Sequence, residues 1–245
     1  MYRVYSIILF ITFVTGNVFA LPGSGTEGDP YRIESLSDFD EFATDPNYWD
    51  DNILMETDVN LAGRTYTTAV IAPDIDNSNW YFDGILFTGV FNGYGHTITN
   101  LIIDTPDANN DYLGLFGRLG GSGAVVMNLG LEGGYVSGPK VEDCEYIGRL
   151  IGNNGGTVLK CYATGDASGG EKVGGLVGDN ENSISLCYAT GNASGTDDVG
   201  GLVGDSENSG ISYSYATGSV NSSGTNNGGG LVGDNNNIGT ITNCY

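Results

Sequence analysis

The chain has 245 residues, 41 of them glycine, and a formal net charge of -22 from 30 acidic and 8 basic side chains. That balance excludes nucleic acid and anionic membrane surfaces as partners, because both are held through basic patches. Glycine- and asparagine-rich chains can be disordered, but hydrophobic residues make up 40% of this one and fall in regular alternating runs, which predicts an ordered, turn-dense β protein.

Residues 1–20 read as a signal peptide. Arg3 supplies the positive charge, Val4 to Val14 form a mostly apolar core, and Val18-Phe19-Ala20 ends the segment on small residues at the cleavage positions. The run is shorter than the roughly 20 residues a membrane span needs, and no second one follows. The expectation is a secreted or cell-surface protein with no membrane span after cleavage. Residues 21–86 are assigned to an N-terminal cap and first strands. Within them, LSDFDEFA (36–43) predicts a helix with Ser37 as N-cap and Leu36, Phe39 and Phe42 on one face, placed to cover the first coil. ILMETDVNLAG (53–63) reads as the first strand. Residues 87–245 are assigned to coils, beginning with FTGVFNGYGHTITNLII (87–103) and AVVMNLGLEGGYVSG (124–138) and most regular over about 146–245.

The regular part repeats two phrases. The first is YLGLFG (112–117), YIGRLIG (146–152), KVGGLVGDN (172–180), DVGGLVGDS (198–206) and GGGLVGDN (228–235). The second is KCYATGDASG (160–169), LCYATGNASG (186–195), SYATGSVNSSG (214–224) and NCY (243–245). A period near 26 residues is too short for a propeller blade and fits one coil of a β-helix with two or three short strands. The fold class is therefore all-β, a single-stranded parallel β-helix (β-solenoid) with an N-terminal capping helix. Alternation turns Leu129, Cys161, Cys187, Ser214 and Cys244 inward, then Leu131, Ala163, Ala189 and Ala216. It leaves Asn128, Lys160, Leu186, Tyr213 and Asn243 to solvent and puts Tyr162, Tyr188, Tyr215 and Tyr245 on the outer face. Gly165, Gly191 and Gly218 are expected where the chain bends through a conformation only glycine takes cheaply. Gly178, Gly204 and Gly233 should stack in register. The column that accepts Cys or Ser points to buried neighbouring thiols at Cys161 and Cys187 rather than a bridge.

GGLVGDNENSISLCYATGNASG resembles the GLUG motif, a repeat of bacterial secreted and surface proteins that includes adhesins and the non-catalytic region of some IgA-cleaving metallopeptidases. GDPYRIESLSDFDEFA and the segments to residue 101 are similar to the region preceding such repeats. The resemblance extends over residues 25–245 and implies an architecture, with no catalytic residues to carry over. Arg149 replaces the second glycine of the motif and Ser214 replaces its cysteine.

A single histidine, His96, excludes an HExxH zinc site and disfavours a Ser-His-Asp triad. No residue is assigned a catalytic or cofactor-binding role, and the chain is expected not to be an enzyme. Two binding features remain. Asp179, Glu181, Asp205, Glu207 and Asp234 recur in what reads as one turn of successive coils, where carboxylates about 5 Å apart would form an edge for calcium, the one cofactor considered; a solvated turn without metal is the other reading. Tyr162, Tyr188, Tyr215 and Tyr245 form an aromatic ladder for a cell-surface glycan or protein, or only brace one another. The expected function is an exported, non-enzymatic β-solenoid scaffold or adhesin-like surface module binding carbohydrate or protein along its faces. The alternative is a carbohydrate-active β-helix, a polysaccharide lyase or hydrolase or a glycan-binding module. The last strand stops at Cys244-Tyr245, so an open edge near Leu231, Val232 and Ile241 is expected to support end-to-end self-association.

Overall fold

The computed structural model describes residues 20–245 except 77, 78, 80, 107, 108, 142, 143, 225–227, 237 and 238. Residues 1–19 of the expected signal peptide thus lie outside the described residues. Among the described residues the strands form five parallel sheets of eight, six, five, five and four strands, with one α-helix near the N-terminus. This is a parallel β-solenoid, as the repeat predicts. Its coils are more finely divided than expected. One coil runs through five short strands, Val173–Gly174, Val177–Asn180, Ser183–Ser185, Tyr188–Ala189 and Ala193–Gly195. Each pairs in parallel with its counterpart in the next coil, so that Val173 meets Val199, Val177 meets Val203, Ile184 meets Ile211, Tyr188 meets Tyr215 and Ala193 meets Val220. Gly178, Gly204 and Gly233 fall in one column between the paired valines and aspartates.

The corners are built differently from expectation. Gly165, Gly191 and Gly218 are absent from the positions with positive φ. They are glycine because nothing else fits: a Cβ at Gly191 would sit 2.0 Å from the Gly165 carbonyl oxygen, and one at Gly218 1.8 Å from that of Gly191. The left-handed corners belong instead to Asn128, Lys160, Leu186, Tyr213 and Asn243, with φ of 54°, 53°, 57°, 50° and 55°. A left-handed L-residue costs about 1–2 kcal/mol, so something must hold these corners. The next side chain does so. Cys161, Cys187, Ser214 and Cys244 turn inward and donate to the carbonyl two residues earlier, at 3.4, 3.2, 2.8 and 3.2 Å. Thiol and hydroxyl perform the same bond, which is why this column takes either. Cys161, Cys187 and Cys244 are free thiols.

The core changes character along the axis. In the regular coils it consists of small columns such as Val158, Ile184 and Ile211, and the fully buried Asn154 and Asn180, whose amides bond at 2.7 Å. Toward the N-terminus it is aromatic. The helix Leu36–Thr44 buries Phe39 and Phe42, and the Phe42 ring lies 5.4 Å from Phe91 and 6.3 Å from Phe87. Its N-cap is Ser35 and not Ser37: the Ser35 hydroxyl accepts from Asp38 N at 3.2 Å. Leu36 is left exposed. The first strand is Tyr31–Ile33, which pairs with Asn52–Met55. Besides the helix, single bridges from Tyr66, Ile71 and Phe87 to Ile103, Phe116 and Leu119 cover the edges of the first coil. Arg149 fills the glycine position it replaces with a fully buried guanidinium, which donates to the carbonyls of Leu101 (3.1 Å) and Gly133.

These corner assignments separate two substitutions that composition alone would treat alike. Gly191→Ala drives a methyl into backbone and should lower stability by about 2–4 kcal/mol. Lys160→Gly relieves a left-handed residue and should leave stability unchanged or raise it by up to about 1 kcal/mol. Urea unfolding of the two variants checks this, and equal losses would contradict it.

Candidate functional site

Strict coil-on-coil register brings like positions together, and on one flank it assembles a polar ladder. Arg118, Asn153, Asp179, Asp205 and Asp234 occupy one column of adjacent strands. A second column runs beside it through the left-handed residues Tyr112, Tyr146, Lys172 and Asp198. The rings of Tyr112 and Tyr146 stack at 4.6 Å, and Lys172 Nζ lies 4.8 Å above the Tyr146 ring. From there Nζ reaches 3.9 Å from Asp179 Oδ2 and 3.6 Å from Asp205 Oδ2. Asn153 Nδ2 donates to Asp179 Oδ2 at 3.0 Å and to Glu181 Oε1 at 2.9 Å. Arg118 sits 3.9 Å from Glu181, with its guanidinium 5.8 Å from the rings of Phe82 and Tyr112.

The acids differ from the expected solvated turn. Asp179 and Asp205 lie within strands and are only 5% and 3% exposed, whereas Glu181 and Glu207 are exposed and Asp234 is half-buried. Turn-forming composition misled here, because the strand continues through Asp-Asn and the corner column folds over it. Among the described residues no group of three or more His, Cys, Asp and Glu converges as a metal site. The carboxylates run along the axis, and Lys172 stands among them. Burial pushes the Asp179 carboxyl up to about 7, with Lys172 only partly offsetting it. Asp205 is also raised by burial. For Lys172, burial acts to lower the pKa, but Asp179 and Asp205 outweigh it and the net shift is upward. One ammonium shared by two buried carboxylates leaves the pair under-compensated.

The tyrosine ladder stands on a different sheet. Tyr162, Tyr188, Tyr215 and Tyr245 stack at 4.8, 5.0 and 5.0 Å with interplanar angles of 3–4°. Tyr162 also lies over Gly130, in the space a side chain there would need, and its hydroxyl donates to Glu132 at 2.6 Å. Ring faces are therefore spent on one another, and the flank presents ring edges and hydroxyls. Leu186 (47% exposed) and Tyr213 (60% exposed), from the left-handed corner column, stand beside it. His96 Nδ1 contacts Asp58 at 3.1 Å, a surface pairing.

A feature the sequence reading missed lies near the capping helix. A cavity of about 810 Å³ is lined by Trp49, Arg64, Tyr66, Val70, Pro73 and Ile85, among others. Arg64 closes one wall through a bidentate pair with Asp40. Its residues come from segments outside the repeat, with no periodic signal to connect them.

No family model matches the chain. Halomucin from Haloquadratum walsbyi is 31% identical over 162 residues, a match that covers 61% of this chain and 2% of halomucin, so the chain spans a very small part of that relative's length. A solved structure of a candidate immunoglobulin A1 protease from Bacteroides ovatus superposes with a TM-score of 0.56 at 20% identity, covering 91% of this chain and 76% of that one. That likeness shows the β-helix fold. It also corrects the expectation that the chain is not an enzyme: the same fold occurs in a protein described as a candidate protease, so the solenoid architecture cannot be used to exclude catalysis. Among the described residues no helix is long and apolar enough to cross a membrane.

The Asp179 environment has a pH signature. Its folded-state value near 7 lies above the ordinary 3.8, so the stability it contributes is complete below about pH 4, is lost as pH rises toward 7, and stays lost above that. The loss should be on the order of 2–4 kcal/mol. A carboxyl-carbon NMR titration should place the Asp179 midpoint near 7; a midpoint near 4 would contradict the burial argument.

Proposed function

We propose that the chain is part of an exported surface β-solenoid that holds an extended partner, a cell-surface glycan or protein, along the flank of Tyr162, Tyr188, Tyr215 and Tyr245. The observation that carries this reading is the stacked row of tyrosines at regular spacing, next to the exposed Leu186 and Tyr213. Repeat scaffolds bind through such long faces. Because the ring faces are occupied, the row would engage a partner by hydroxyl hydrogen bonds and ring-edge contact, not by stacking on sugar rings. The resemblance to the GLUG motif and the similarity to halomucin support an exported, surface location. The low content of basic residues supports a partner other than nucleic acid.

Tyr188→Phe/Tyr215→Phe keeps the stack and removes two hydroxyls. On a glycan array and on cell-surface extracts, with and without calcium, this variant should bind roughly tenfold more weakly than wild type while melting at the same temperature. Undiminished binding would overturn the assignment to this flank. Immunoglobulin A1 belongs in the same panel, because the solved neighbour is described as a candidate protease of it. Cleavage of that substrate by the purified chain would replace the binding reading with a proteolytic one.

A further inference from the structure

The polar ladder contains a lysine and two carboxylic acids in an arrangement that a surface ion pair does not need. Lys172 Nζ is 3.6 Å from Asp205 Oδ2 and 3.9 Å from Asp179 Oδ2, longer than the about 2.7–2.9 Å of a good ammonium–carboxylate hydrogen bond. Both acids are more than nine-tenths buried. Asp179 Oδ1 is buried with no hydrogen-bond partner, while Asp179 Oδ2 is held by Asn153 at 3.0 Å. The Tyr146 ring lies 4.8 Å from Nζ and helps to exclude water from it. The nitrogen and the Asp205 carboxyl are thus near contact, in a low-dielectric setting, with a second carboxyl at hand to carry protons.

We propose that Lys172 and Asp205 condense to an intramolecular amide that staples two successive coils, with Asp179 as the proton carrier. The Nζ–Cγ bond to Asp205 forms and one Cγ–O bond breaks. Of the three ammonium protons, one stays on the amide nitrogen and two leave with the Asp205 oxygen as water. Asp179 passes protons from Nζ to that oxygen and ends as it began. Nothing is oxidised or reduced, and no co-reactant is required. Burial favours this step in two ways: it lowers the cost of replacing the charged pair by neutral groups, and it keeps the Asp179 carboxyl protonated up to neutral pH. The product locks residues in adjacent coils, from the corner column of one to the strand of the next, without relying on redox state. That fits a chain in which Cys161, Cys187 and Cys244 are free thiols.

The staple is independent of which partner the tyrosine flank holds, and it is read directly by mass. Intact-mass spectrometry of the purified full chain, after incubation in the folded state, is expected to find it lighter by one water. Peptide mapping is expected to join the peptide containing Lys172 to that containing Asp205. Lys172→Arg should keep the full mass. Asp179→Asn should slow the loss roughly 100-fold or more while circular dichroism shows the same β content. Asp205→Asn, whose leaving group is ammonia, should become lighter by one ammonia. A wild-type chain that keeps its full mass overturns the proposal, and so does a water loss that persists in Lys172→Arg. An unchanged rate in Asp179→Asn overturns the role of Asp179.

Discussion

Everything in this molecule depends on each coil being laid on the last with no lateral offset, at a distance that leaves no room for side chains in several columns. A Cβ at Gly204 would lie 2.6 Å from the Gly178 carbonyl oxygen, and one at Gly233 2.6 Å from that of Gly204. The glycine columns are the consequence of this approach and also its guarantee, since a slip of one residue would put a side chain where only backbone fits. Exact superposition makes like meet like. For tyrosine this is favourable, giving parallel rings at about 5 Å. For asparagine it is favourable too, because an amide both donates and accepts, as Asn154 and Asn180 do.

For aspartate the same rule is unfavourable, and the polar ladder is where the fold meets that cost. Asp179, Asp205 and Asp234 stand on successive strands in a chain of net charge -22. Two means of relief are present. Lys172 replaces the tyrosines found in its column one and two coils earlier, and places one positive charge between two carboxylates. Burial then disfavours the second negative charge, so that Asp179 titrates far above the ordinary range. The most chemically unusual site of the solenoid therefore follows from its register and not from a motif.

Much of the architecture was legible in the sequence, because the stacking constraint writes itself as repetition. The 26-residue phrases gave away the parallel coils, alternation identified Cys161, Cys187 and Ala189 as core, and the tyrosine column was correctly placed outside. The corners were misread because left-handed backbone is normally sought at glycine. Here it falls on Lys160, Leu186 and Tyr213, whose variability looked like mere exposure, while the inward Cys or Ser supplies the bond that holds the turn. The acids were misread because Asp-Asn-Glu-Asn is turn-like in composition, and only the three-dimensional course shows the strand passing through its first two residues. Lys172 gave no signal, since its column reads Tyr, Tyr, Lys, Asp down the repeats. The cavity beside Trp49 and Arg64 has no repeat to reveal it.

In-register stacking at strand spacing is tested most directly by a distance along the axis. Asn128 and Asn243 belong to one corner column with Lys160, Leu186 and Tyr213 between them, so four strand spacings separate them. Spin labels at these two positions, in a background with serine at the four natural cysteines, should give a narrow distance distribution centred near 20 Å by pulsed electron paramagnetic resonance, from about 4.8 Å per coil. A broad distribution, or a maximum beyond about 30 Å, would contradict the stacked register on which the ladders and the lysine–aspartate site depend.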